Sequence, residues 1–186
     1  MVGYLDESYC ENACIYIVAA VVPPTGEGRL RKALRAILPP GKGPYPPNFH
    51  WNSASPTAKT AIIQTALAHS TLGLYTFREI VVPSRQQEAA RRRLINRFLA
   101  EAFSAVGGKR LVLDQRRGSF HAFDQQTLKG AVTGGVAPAG MTYSFRRPSA
   151  EPLLWIADAL AGAVHARDEH KDDRFVNMLG GRLVEK

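Results

Sequence analysis

Asp6 follows the apolar Val2-Gly-Tyr-Leu5, Asp114 ends the run Leu111-Val112-Leu113, and Asp158 stands among Leu153, Leu154, Ile156, Ala157, Leu160, Ala161 and Val164. A lone carboxylate inside such a helix costs on the order of several kcal/mol once buried, so Asp158 needs a partner. An arginine or a nearby helix cap is one answer, and Asp114 taken alone also suits a turn at a strand end. Jointly the three favour a different answer, a metal cage. Hard Mg²⁺ or Mn²⁺ takes oxygen ligands, and two such ions about 3.5–4 Å apart activate water and stabilise a leaving oxygen. The chemistry expected of Asp6, Asp114 and Asp158 is therefore hydrolysis of phosphodiester bonds in RNA, DNA or a hybrid, with two divalent cations.

The neighbours of these acids extend the pattern. Side chains alternate along a strand, so Asp6 and Glu7 point to opposite faces and only one can share a surface with Asp114. Asp6 is taken as the site acid. Ser8 shares its face if the strand continues, and would orient a ligand or contact a phosphate. Arg116-Arg117 follow Asp114 and Arg146-Arg147 follow the last expected strand, which places both pairs near the acids as phosphate grips. His121 is a further candidate of that kind, or else an incidental loop histidine. His165 lies seven residues after Asp158 on roughly the same helical face, either beside the site or at the surface near the helix end. Arg91-Arg92-Arg93, with Arg85 and Arg97, fan around a helix rather than align, which predicts a solvated face, or else a track for a nucleic-acid backbone. Cys10 and Cys14 have no second Cys/His pair nearby and are expected to be inert thiols rather than zinc ligands.

Positioning these residues takes an alternation of strands and helices. Val2 to Asp6 and Cys14 to Val22 form a hairpin broken at Glu11-Asn12. Leu30, Ala33, Leu34, Ile37 and Leu38 recur at helical spacing until Pro39-Pro40, and an irregular proline-rich stretch to Pro47 delivers Phe49-His50-Trp51. Ser55-Pro56 starts a helix running to about His69. Leu72 to Val82 is a third strand, and Ser84 to Gln87 fits a capping box for a helix carrying Leu94, Ile95, Phe98, Leu99 and Phe103. Lys109 to Asp114 is a short buried strand. A short helix near Phe120 to Lys129, a strand at Met141 to Phe145, a largely buried helix capped by Ser149, and a last short helix complete the order. The expectation is an α/β domain with a mixed five-stranded sheet, antiparallel at its N-terminal part and flanked by helices.

A chain of 186 residues, 45% hydrophobic and 22% charged, suits a single folded domain over 1–186 and excludes disorder. Its longest apolar run, Cys14 to Val22, stops at Pro23-Pro24, short of the roughly 20 residues a spanning helix requires. With no signal-peptide pattern at the N-terminus, a cytoplasmic protein with no membrane partner is expected. Lys and Arg number 24 against 16 Asp and Glu, a net charge of +8 that favours a polyanion such as nucleic acid.

The opening Gly3-Tyr-Leu-Asp-Glu-Ser8, the strand Ile15 to Val22, the segment Leu113-Asp-Gln-Arg116 and the helix Leu154-Trp-Ile-Ala-Asp-Ala-Leu-Ala-Gly162 resemble an uncharacterised family catalogued as domain of unknown function 3800. The resemblance spans nearly the whole chain. It implies a ribonuclease H-like fold and, with it, nuclease chemistry, although function belongs to sites rather than folds. Where that family carries an acid just ahead of the residue matching His50, this chain has Asn48-Phe49. The fourth ligand is then open: His50 would replace it, act as a base toward water, or be no more than a loop histidine stacked beside Trp51. Two rivals stand beside the nuclease. One is a non-catalytic nucleic-acid-binding or partner module on the same fold. The other is a hydrolase that uses paired carboxylates on a non-nucleic substrate, such as a phosphomonoesterase or glycosidase.

Overall fold

The computed structural model describes residues 1–12, 14–23, 27–38, 48–69, 71–80 and 86–186. The expected proline-rich stretch at 39–47, Pro83 and the Ser84 cap lie outside them. Val2–Cys10 (β1) and Ile15–Val22 (β2) pair antiparallel, Tyr4 opposite Val21 and Cys10 opposite Ile15, and β2 pairs antiparallel with Gly73–Ile80 (β3). Arg110–Asp114 (β4) lies parallel to β1 on its other side, and Thr142–Arg146 (β5) lies parallel to β4. The sheet order is β5-β4-β1-β2-β3-β6, so β1 is central and carries both the hairpin and the parallel half.

Among the described residues the expected five strands are six. Leu183–Glu185 (β6) adds to the far edge, parallel to β3 with Leu74 opposite Leu183. Three residues after a short helix carry no alternation long enough to mark a strand; the edge of β3 supplies the hydrogen bonds that make them one. β1 also runs on past Asp6 to Cys10.

Helices cover both faces. Glu27–Ile37 (α1), Pro56–Leu67 (α2), Leu153–His170 (α5) and Arg174–Leu179 (α6) pack on one face with Tyr4, Ile17, Ala19, Val21 and Val112. Gln87–Phe98 (α3) and Ser119–Thr133 (α4) pack on the other with Leu5, Val18, Ala20, Phe77 and Leu113. α3 extends through a π-helical turn, Leu99–Phe103, and α4 is longer than the short helix expected near Phe120. Ser55 caps α2 as expected, its hydroxyl accepting from Ala58 N–H at 3.2 Å. Ser149 does not cap α5; the side chain of Glu151 accepts the Leu153 N–H at 3.2 Å instead, and also pairs with Arg31 of α1. Among the described residues no helix is long and apolar enough to cross a membrane.

Candidate active site

The parallel register places Leu5 beside Leu113, so Asp6, midway along β1, emerges next to Asp114, the last residue of β4. Tyr4 and Val112 are packed beneath α5 while Leu5 and Leu113 are packed beneath α3 and α4, and by alternation Asp6 and Asp114 share the face of Tyr4 and Val112. α5 covers that face and contributes Asp158. All three aspartates line one cleft of about 390 Å³, together with Glu7, Asn48, His50, Arg117 and Arg147.

Their surroundings differ. Asp6 is 9% exposed, and its Oδ1 accepts the Glu7 N–H at 2.8 Å. Asp158 accepts the Trp51 N–H on Oδ2 at 2.9 Å, with His50 Nδ1 3.9 Å from the same oxygen and the His50 side chain 64% exposed. Burial, then the charges of Glu7, Asp158 and Asp114, holds the Asp6 carboxyl well above its ordinary range. Burial, then Glu7, pushes Asp114 up to about 6. Burial raises Asp158 too, against the opposing pull of the Trp51 N–H and of His50. Neither Asp6 nor Asp114 has an ion-pair partner among the described residues. Such a crowd of acids is what a divalent cation would relieve, and oxygen donors of this kind fit Mg²⁺ or Mn²⁺. Among the described residues, however, no three His, Cys, Asp or Glu side chains already form a closed ion cage. The cleft is a convergence of carboxylates rather than a finished ligand sphere.

This crowding has a pH signature. Asp114 keeps its proton to about 6 in the fold against an ordinary 3.8, so its protonated form adds stability below about pH 4 that is lost as pH rises through about 6. Asp114→Asn removes that titration. In EDTA, the variant should therefore gain melting temperature relative to the parent chain as pH rises through about 6. A difference that stays flat across that window would show that the carboxylate is not crowded.

Glu7 points to the opposite face, as alternation requires, yet it lines the cleft and is a leading charge acting on both Asp6 and Asp114. It is ion-paired with Arg91 and lies 3.8 Å from Arg116. Arg91 corrects the expectation of a solvated arginine face: it is 1% exposed, with Nε 2.7 Å from Asp124 Oδ1 and Nη2 3.2 Å from Oδ2. The fan of three arginines sends one inward, and Arg91 falls at helical spacing with the buried Leu94, Ile95 and Phe98. That spacing was the available signal. Arg92 and Arg93 stay exposed, and Arg93 pairs with Glu79.

The remaining candidates separate in the same way. Arg116 is engaged by Glu88 at 2.7 and 2.8 Å and by Asp124 at 2.9 Å, while Arg117 and Arg147 face the cleft. Arg146, opposite Asp114 in register, lines a smaller recess with Arg110 and Glu151. Ser8 hydrogen-bonds His165 Nδ1 at 2.7 Å, away from the three acids. His121 packs edge-on against Phe145 at 4.4 Å, and both cysteines are free thiols, Cys10 buried.

Gly162 couples the motif helix to His50. One turn beyond Asp158, a Cβ added at Gly162 would lie 2.1 Å from Trp51 Cγ, so only glycine lets the indole seat against α5. The same Trp51 donates its N–H to Asp158, and the 3₁₀ turn Trp51–Ser53 follows directly on His50. Gly162→Ala should displace that turn, with a loss of about 1–3 kcal/mol for overpacking. An unchanged melting temperature would contradict this seating.

No protein-family model matches the chain, and no curated protein matches it, so the likeness to domain of unknown function 3800 rests on its motifs alone. A solved ribonuclease HII chain does match, from the structure described as the PCNA:RNase HII complex from Archaeoglobus fulgidus. The TM-score is 0.57 at 12% identity, covering 98% of this chain and 80% of that one. Likeness at that identity speaks for architecture alone: the chain has a ribonuclease H-like fold, with a six-stranded sheet flanked by helices.

Proposed function

We propose that the chain acts as one ribonuclease H-like domain and is a Mg²⁺- or Mn²⁺-dependent nuclease, with Asp6, Asp114 and Asp158 as its metal ligands. The observation that carries this reading is the convergence of the three acids in one cleft, with Asp6 and Asp114 unpaired among the described residues and all three held above the usual carboxylate range. When bound, divalent ions supply Lewis-acid activation of water and of the leaving oxygen. The residues around them have separate parts. Arg117 and Arg147, on the rim of the cleft, grip backbone phosphates, and His50, largely exposed beside Asp158, takes a proton from water or completes the ligand set. Glu7 adds a fourth negative charge at the back of the cleft, fixed by Arg91.

The test is cleavage of labelled single-stranded RNA, single-stranded DNA and an RNA–DNA hybrid, each with Mg²⁺, Mn²⁺ or EDTA. Divalent-dependent cleavage of any of them is the expected result. No turnover on all three, with binding that weakens steeply in salt, would instead identify a nucleic-acid-binding module. Hydrolysis confined to a small phosphate ester or glycoside would identify a hydrolase of another class.

A further inference from the structure

A second, smaller pocket of about 250 Å³ opens on the other side of the Trp51–Ser53 turn, between that turn, α2, the end of α5 and α6. Lys59, His165, His170 and Arg174 line it, against one acid, Asp172. Its cations are available. The Lys59 ammonium rests over the Trp51 ring at 4.5 Å and is in no ion pair among the described residues. Arg174 meets Asp172 at 2.8 and 2.7 Å, but its side chain is 72% exposed, and an ion pair open to water is readily shared with an incoming anion. Ser8 occupies His165 Nδ1, so His165 serves the pocket through Nε2. Trp51 and Phe175 are edge-on to one another and buried at 6% each, which leaves no open ring face on which a base could stack.

We infer that this pocket holds a backbone phosphate of the same nucleic-acid strand whose scissile bond lies at the carboxylates, an inference that rests on the nuclease reading. The two sites share three elements. Trp51 lines the pocket while its N–H holds Asp158; Ser8 follows Asp6 by two residues on β1; and His165 follows Asp158 on α5. Seven helical residues span about 10.5 Å. A separation on that scale is short enough for the pocket to take a phosphate a few nucleotides at most from the cleavage site on the same strand. The acid that balances part of its charge, Asp172, also keeps the pocket from attracting anions indiscriminately.

The experiment measures affinity of the full chain for fluorescent homopolymer strands, deoxyribose and ribose, in EDTA over a range of salt, beside cleavage in Mg²⁺ or Mn²⁺. Lys59→Gln and Arg174→Gln are the variants, with melting curves to confirm that each is folded. Each should weaken binding to both strands several-fold and lower the slope of log affinity against log salt by about 1, the loss of one phosphate contact. Unchanged affinity and slope in both folded variants overturn the pocket, even where Asp6→Asn abolishes cleavage and the nuclease reading stands. Conversely, a reduced slope in a chain that cleaves nothing keeps the phosphate pocket and removes the nuclease. Competition by inorganic phosphate as strong as that of the strand would mark a small-anion site and also overturn the inference.

Discussion

Asp6→Asn is expected to lower Mg²⁺- or Mn²⁺-dependent polynucleotide cleavage by about 10²–10³-fold or more, the scale on which one oriented electrostatic group in a site matters. The same change should raise the melting temperature in EDTA. Asp6 is nearly buried among Glu7, Asp158 and Asp114, and its carboxyl already sits well above the ordinary range, so a neutral amide of the same shape removes repulsion without opening a cavity. The two effects oppose each other, and that opposition separates a metal ligand from a structural acid. A structural acid would lose stability on neutralisation, whereas a ligand held in a crowd of like charge gains it and loses function. Asp158→Asn should lose cleavage to the same degree but gain less stability, because the Trp51 N–H already compensates its charge. Cleavage undiminished in both variants would sink the assignment of the site.

Much of this geometry was legible because periodicity carries it. Asp6 and Asp114 each follow an apolar run, and Asp158 interrupts an apolar helix, so each stands out against its own background. Strand alternation sends Asp6 and Glu7 to opposite faces, and Tyr4 and Leu5 do belong to opposite cores. Alternation could not show that Glu7 would still line the cleft, because that depends on where Arg91 and Arg116 draw its carboxylate. Those partners come from α3 and the loop after β4, and no local pattern links them. β6 was hidden for a related reason: Leu183–Glu185 is a strand only because β3 offers it an edge. Arg116 shows the limit from the other side. Adjacency to Asp114 suggested a phosphate contact, while in the fold its guanidinium is engaged by Glu88 and Asp124.

Arg91→Met should be the most destabilising single change in the chain outside its apolar core. Arg91 and Asp124 have side chains 1% and 2% exposed, and without Arg91 the Asp124 carboxylate keeps only Arg116 while Glu7 loses its close ion-pair partner, a loss of up to about 3–5 kcal/mol. For a chain of this size that corresponds to a fall of roughly 6–20 °C in melting temperature. Burial by itself would raise the Asp124 carboxyl; Arg91 and Arg116 outweigh it and hold Asp124 below its ordinary value. Its contribution is therefore present above about pH 4 and is lost as pH falls through the lower folded value, the reverse of Asp114. Arg91→Met/Asp124→Leu should recover part of the loss, since apolar replacements of a buried pair are often nearly neutral. Recovery must stay partial, because Glu7 is still deprived of Arg91. That residue ties the stability network to the site. With Glu7 released, the fixed negative charge behind Asp6 and Asp114 is no longer held in place, so the folded double variant should also show weaker Mg²⁺ or Mn²⁺ binding by calorimetry. Metal affinity equal to the parent's would mean that the Arg91 network supports the fold alone.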